Sequence, residues 1–170
     1  LLPNFIFPDA SSSSKELCKS AWGCCVKNKT LKKNHIKFIS EREYINEDYY
    51  FWIDNFDKFQ NIVFIDEPLY LYYQNEDSLS LKYLKDRYQK IKKIDKKMLE
   101  LVKEHNYPNE CLKRVKGLFI SNLLGCIKSE VKNYKNIGYK NSYKRFKEIC
   151  SDEYVKNSEK VYNCKEKSMG

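Results

Sequence analysis

NECLKRVKGLFISNLLGCIKSEVK, residues 109–132, is apolar over most of its circumference when wound as a helix. Leu112, Val115, Leu118, Phe119, Leu123, Ile127 and Val131 recur in steps of three and four, the period of an α-helix. The pattern predicts a helix over residues 109–132 and makes it the most buried element of the C-terminal half. Its most apolar run, 118–127, lies between Lys116 and Lys128 and is too short for a bilayer, which needs about 20 residues. Upstream, from Tyr83, the residues Leu84, Tyr88, Ile91, Ile94, Met98 and Leu101 keep the same step with lysines in the gaps, until Asn106-Tyr107-Pro108 breaks the helix. Downstream, Gly138 separates one or two shorter helices, the first turning Tyr143, Phe146 and Ile149 inward. The last residues, from about 163, are expected to fray.

The N-terminal half reads differently. Residues 47–59 form an amphipathic helix, with Tyr49, Trp52, Ile53, Phe56 and Phe59 on one aromatic face and Asp54, Asn55, Asp57 and Lys58 on the other. Asn46 is its expected cap, and Glu47 and Asp48 put negative charge in the first turn. Residues 62–65 and 69–73 are β-branched, apolar or alternating, and predict two strands interrupted by Asp66-Glu67-Pro68. A polar loop follows over 74–78. Residues 15–20 and 30–34 read as short helices and 36–39 as extended; 23–26 is a buried strand or the start of a turn. Residues 1–14 read as irregular, and no internal repeat is present. The expected fold is α+β and mostly helical: a few strands with the aromatic helix against them over 1–82, then a helical extension over 83–170.

Composition narrows the function. With 170 residues the chain makes one domain or one large piece of one, and 42% hydrophobic residues suffice for a core. Only 5 glycines are present and none forms a phosphate-cradling loop, which excludes a complete Rossmann or P-loop unit. The net charge of +9 suits phosphate groups, acidic glycans or an anionic membrane face. The plainer reading is that lysines spread along every helix simply cover solvated faces. Seven cysteines without a Cys-x-x-Cys, and only His35 and His105 beside them, give neither a disulfide framework nor a zinc site. Reduced thiols in the cytoplasm are the expectation. The opening Leu1-Leu2-Pro3, with no Met, reads as a piece of something longer.

Three features, in order, resemble family 2 glycosyltransferases of the GT-A fold, the class that builds bacterial surface polysaccharides. They are Ser20-Ala21-Trp22 with Asn34-His35-Ile36-Lys37-Phe38; Ser40-Glu41-Arg42-Glu43-Tyr44-Ile45-Asn46-Glu47-Asp48-Tyr49-Tyr50-Phe51; and Ile62-Val63-Phe64-Ile65-Asp66-Glu67-Pro68-Leu69-Tyr70-Leu71-Tyr72 closing on Gln74-Asn75-Glu76-Asp77-Ser78-Leu79-Ser80. Together they cover roughly the first half of the chain. The resemblance implies the C-terminal portion of an inverting glycosyltransferase, moving a sugar from a nucleotide-sugar donor to a glycan or lipid-linked acceptor. It makes Asp48 the general base and Glu47 its support, with Trp22 as a wall for a sugar ring and Tyr73, Gln74 and Asn75 bordering the acceptor. It implies a divalent cation, Mg or Mn, and a nucleotide sugar for the longer parent, with no cofactor held by this piece. The expected location is cytoplasmic, with peripheral contact at the inner membrane face; no nucleic acid partner is expected, and the oligomeric state is open. The chain departs from the family pattern at Cys24 and Cys25, where a basic residue and Leu are usual, at Tyr73, where Arg is common, and in lacking the metal-holding Asp-x-Asp.

Glycosyl transfer with inversion needs a base for the acceptor hydroxyl and positive charge on the departing diphosphate. Acids in a first helical turn are also ordinary, and a helix N-terminus lowers a carboxylate pKa where a good base wants it raised. Read by itself, Trp22 is more often a core residue than a sugar platform. A competing expectation is a non-enzymatic basic helical module that binds nucleic acid or protein, which would need lysines and aromatics on one face. A tail serving as an oligomerisation or membrane-docking unit is a third.

Overall fold

The structure, a computed structural model, describes residues 6, 20–40, 42–65, 67–71, 73 and 83–163, without the side chains of 21 and 161–163. A 3-10 turn, Ala21–Gly23, precedes helix α1 (Asn28–Lys33). Helix α2 (Glu47–Asn55) runs into a second 3-10 turn, Phe56–Lys58. Then come α3 (Arg87–Glu104), α4 (Asn109–Lys132), α5 (Tyr134–Ile137), α6 (Tyr139–Ser151) and α7 (Glu153–Asn163).

Helices α1 and α3 end by the same device. After α1 the Ile36 N–H donates to the Leu31 carbonyl at 3.0 Å and His35 N–H to that of Lys32 at 3.3 Å. After α3 the Tyr107 N–H donates to Val102 and Asn106 N–H to Lys103, both at 3.0 Å. His35 and Asn106 each sit at φ 52°, the left-handed conformation this cap requires. The second cap reverses the chain, and Pro108 accepts from the Cys111 N–H at 2.8 Å to start α4. Pro cannot donate, so the first position outside a helix is where it costs least.

Two apolar clusters fill the interior. In the first, Tyr50, Phe51, Trp52 and Ile53 of α2 meet Ile94, Met98, Leu101 and Val102 of α3 and Cys111, Val115 and Leu118 of α4. This core draws on both sides of the boundary expected near residue 82. In the second, Ile91, Phe119, Leu123, Cys126 and Ile149 close under α6 and α7, with Tyr154 and Val155 packed alongside. Each fully buried aliphatic or aromatic side chain contributes about 1.5–3 kcal/mol, so α4, which supplies both clusters, carries most of the tail.

The mostly helical expectation holds, and α4 has the predicted bounds. The strands do not form: no β-strand occurs among the described residues. Residues 62–65 stand open, with Val63, Phe64 and Ile65 at 83%, 58% and 64% exposure. A β-branched run needs a neighbour to pair with, and its propensity alone does not make a strand. Of residues 69–73, 69–71 and 73 likewise take no strand; 72 lies outside the description.

Other expectations need correction. Asn46 does not cap α2 with its side chain; it sits at φ 62° and its carbonyl accepts the Tyr49 and Tyr50 N–H groups at 3.1 and 3.3 Å. Asn55, expected on the polar face, is buried, donating to the Phe51 carbonyl at 2.9 Å and accepting from Lys58 Nζ at 2.9 Å. Of the three α6 residues expected inward only Ile149 is buried; Tyr143 and Phe146 are exposed, because the helix lays Ser142 on α4 through a 3.0 Å bond to the Glu130 carbonyl. Val131 is exposed rather than core. Helix α3 begins at Arg87, four residues later than Tyr83. Of the short helix expected over 15–20 only residue 20 is described, and it is not helical; its other residues and the fraying beyond 163 lie outside the described residues.

Candidate functional site

Glu47 and Asp48 occupy the first turn of α2, both partly exposed. Helical spacing puts Phe51 and Trp52 on the same face as Asp48, one turn further in. Their rings meet edge to face at 5.1 Å, and Phe38 stacks flat on Phe51 at 4.4 Å and 11°. Phe38, Phe51 and Trp52, with Cys24, Val26 and Leu31, line a cavity of about 190 Å³. A carboxylate therefore stands one helical turn from an aromatic-walled hollow. The carboxylate is legible in the sequence and the hollow is not; Phe38 is its one available signal there.

The remaining expected residues are more scattered. Trp22 is half exposed, so it is no core residue, and its ring lies 5.0 Å from that of Tyr70 at 30°. Tyr73 is exposed, at 79%, more so than Tyr70. Gln74 and Asn75 lie outside the described residues. The structure thus joins Glu47 and Asp48 by adjacency and Trp22 to Tyr70, a partner not foreseen.

A second constellation escaped sequence reading. On α3, Asp95 is 1% exposed and its Oδ2 accepts from Lys116 Nζ of α4 at 2.6 Å and from the Tyr154 hydroxyl of α7. Lys116 also lies 4.3 Å from the Tyr154 ring centroid. Burial pushes the Asp95 carboxyl above its ordinary value against the opposing pull of Lys116. Beside it, Asp152 accepts from Lys92 Nζ at 2.6 Å and the Tyr88 hydroxyl at 2.7 Å, and its Oδ1 takes the Tyr154 N–H at 2.8 Å at the start of α7. These bonds, that of Lys92 first, hold the Asp152 carboxyl down at about 2. Further along, buried Glu130 accepts from the Tyr83 hydroxyl at 3.0 and 3.1 Å, with Arg145 Nη1 at 3.6 Å. Asp95, Lys116 and Glu130 are buried between helices and Asp152 is partly exposed; together they fix how α6 and α7 sit on the α3–α4 pair.

Among the described residues no cluster of three or more His, Cys, Asp or Glu side chains could hold a metal ion. Nor is any helix among them long and apolar enough to cross a membrane. Comparison with protein-family models, with curated proteins and with solved structures gives no match for this chain.

Proposed function

We propose that this chain is the acceptor side of an inverting glycosyltransferase of family 2, in which Asp48 takes the proton from the attacking acceptor hydroxyl. One observation carries the reading: a partly exposed carboxylate stands one turn above a hollow walled by Phe38, Phe51 and Trp52. A sugar offers an apolar ring face and a rim of hydroxyls, which an aromatic wall and an acid one helical turn away could each meet. The hollow, about 190 Å³, is smaller than the ~300–1,000 Å³ of extended ligand pockets, so it suits a single terminal sugar. The ordered motifs that resemble the family support the same assignment, with GT-A as the proposed parent fold.

In this reading Asp48 acts as base, Glu47 shapes the approach, and the Trp22–Tyr70 pair offers a second aromatic surface for the acceptor chain. Binding of the donor and charge on the leaving diphosphate are assigned to other parts of the parent. The parent acts at the cytoplasmic side on a glycan or lipid-linked acceptor.

The test is sugar transfer by the parent protein carrying Asp48→Asn. Turnover should fall at least about a hundredfold with donor binding retained, while Glu47→Gln costs less. Undiminished turnover in Asp48→Asn would leave that residue a helix-end acid only.

A further inference from the structure

Helix α6 turns Tyr139, Tyr143 and Phe146 outward, at 72%, 57% and 40% exposure. Spaced by four and three, they form one stripe beside the seam where Ser142 and Ile149 are buried. Tyr139 and Tyr143 stack on each other, 6.4 Å apart and 10° from parallel. Lys140, Lys144 and Lys147 follow each of these aromatics by one residue, which sets them on the adjoining flank, away from the seam; all three are exposed. The charge is one-sided around it: residues 131–147 contain Lys132, Lys135, Lys140, Lys144, Arg145 and Lys147 and no Asp or Glu. Of the two acids that bound this stretch, Glu130 is buried and already faces Arg145 and Tyr83. The other, Glu148, is exposed and closes the stretch one turn past Lys144.

From this we infer that the outer face of α6 is a docking surface for an anionic lipid bilayer, lying in the plane of the headgroups. The chemistry is specific in three ways. Tyrosines place an apolar ring and a polar hydroxyl at the depth where a membrane changes from hydrocarbon to water. Lysines on the adjoining flank reach phosphate headgroups while their stems cover apolar surface. The absence of acids over seventeen residues (131–147) removes the repulsion that an anionic surface would otherwise meet. Phe146, with no polar end, adds what a lipid rewards and a phosphate backbone does not. The inference stands independently of the transferase reading, because it uses none of the residues around Asp48.

The experiment is sedimentation of the 170-residue chain with vesicles of phosphatidylcholine alone, and with vesicles containing phosphatidylglycerol, at low and moderate salt. A fluorescent single-stranded oligonucleotide is titrated in parallel. Binding is expected to the phosphatidylglycerol vesicles, to weaken with salt, and to fall at least about tenfold in Lys140→Glu/Lys144→Glu/Lys147→Glu. Tyr139→Ser/Tyr143→Ser/Phe146→Ser should lose a similar share while keeping the wild-type circular dichroism, since these side chains are exposed. If the aromatic variant misfolds, the lysine variant decides. Equal binding to neutral vesicles, binding untouched by the substitutions, binding to neither probe, or tighter binding to the oligonucleotide would each overturn the inference.

Discussion

Lys116 reaches from α4 into the space between α3 and α7 to meet a carboxylate that water does not. Removing one partner of such a pair leaves the other charge buried and alone, which costs about 3–5 kcal/mol. Lys116→Ala should therefore destabilise by that order in urea unfolding, while Lys116→Met with Asp95→Asn recovers most of the loss, since neither charge remains. Asp152 behaves differently because it is held below its ordinary value of 3.8, at about 2. A depressed carboxylate contributes stability that is fully present above its unfolded pKa of about 4 and is lost as pH falls through the folded value. Melting temperatures recorded down to pH 2 should drop steeply across that window in the wild type and less in Asp152→Asn. A flat wild-type profile would mean that Lys92 and Tyr88 do not hold the charge. None of these partners was legible in the sequence, where Asp95, Lys116 and Tyr154 look like three ordinary members of a Lys-rich tail. A buried ion pair leaves no periodic trace; only the packing of α7 onto α3 and α4 brings the groups together.

At the scale of elements, glycine marks where the chain is forced and where it is free. Gly138, between α5 and α6, sits at φ 86°, where a Cβ is strained whatever the room around it. Gly125, inside α4 and exposed, has open space for 4 Å around the point where a side-chain methyl would stand. The two substitutions to Ala should have opposite signs: Gly138→Ala costs about 1–3 kcal/mol, and Gly125→Ala gains about 0.5–1 kcal/mol from helix propensity. Matched denaturant curves would show it, and a shared sign would contradict the backbone argument. The same scale explains what could be read beforehand. Helix α4 was legible to the residue because its apolar period, Asn109 after a Pro and the end at Lys132 all agree. The aromatic step in α6 predicts a core face that the structure leaves open, because periodicity reports that a helix has a face and not what covers it. The tract 62–65 has strand propensity without a partner, so its irregular, exposed path could not be foreseen from composition.

For the whole molecule, two apolar clusters sharing α4 make the tail and α2 one packed body. The thiols report on it. Cys111 and Cys126 are at 0% and 2% exposure, and burial pushes the Cys126 thiol up to about 11, whereas Cys25 and Cys150 are exposed. A thiol reagent at neutral pH should label Cys25 and Cys150 rapidly, and Cys111 and Cys126 only at the rate of unfolding; rapid labelling of all four would mean the clusters open. At this scale the helical class and a core dominated by α4 were in the sequence. The hollow beside α2 was not, since it needs Phe38 to fold back onto Phe51 from a segment of no regular structure.

Whether the acid at the start of α2 and that hollow form one site can be read directly from amide and indole NMR shifts of the chain during titration with short oligosaccharides ending in glucose, galactose or N-acetylglucosamine. If they do, the signals of Asp48, Phe51 and Trp52 move together along one saturating curve for at least one of these sugars, and Leu31→Phe, which fills the hollow, abolishes the movement. Shifts confined to surfaces away from α2, or none at all with every sugar, would contradict a sugar site there.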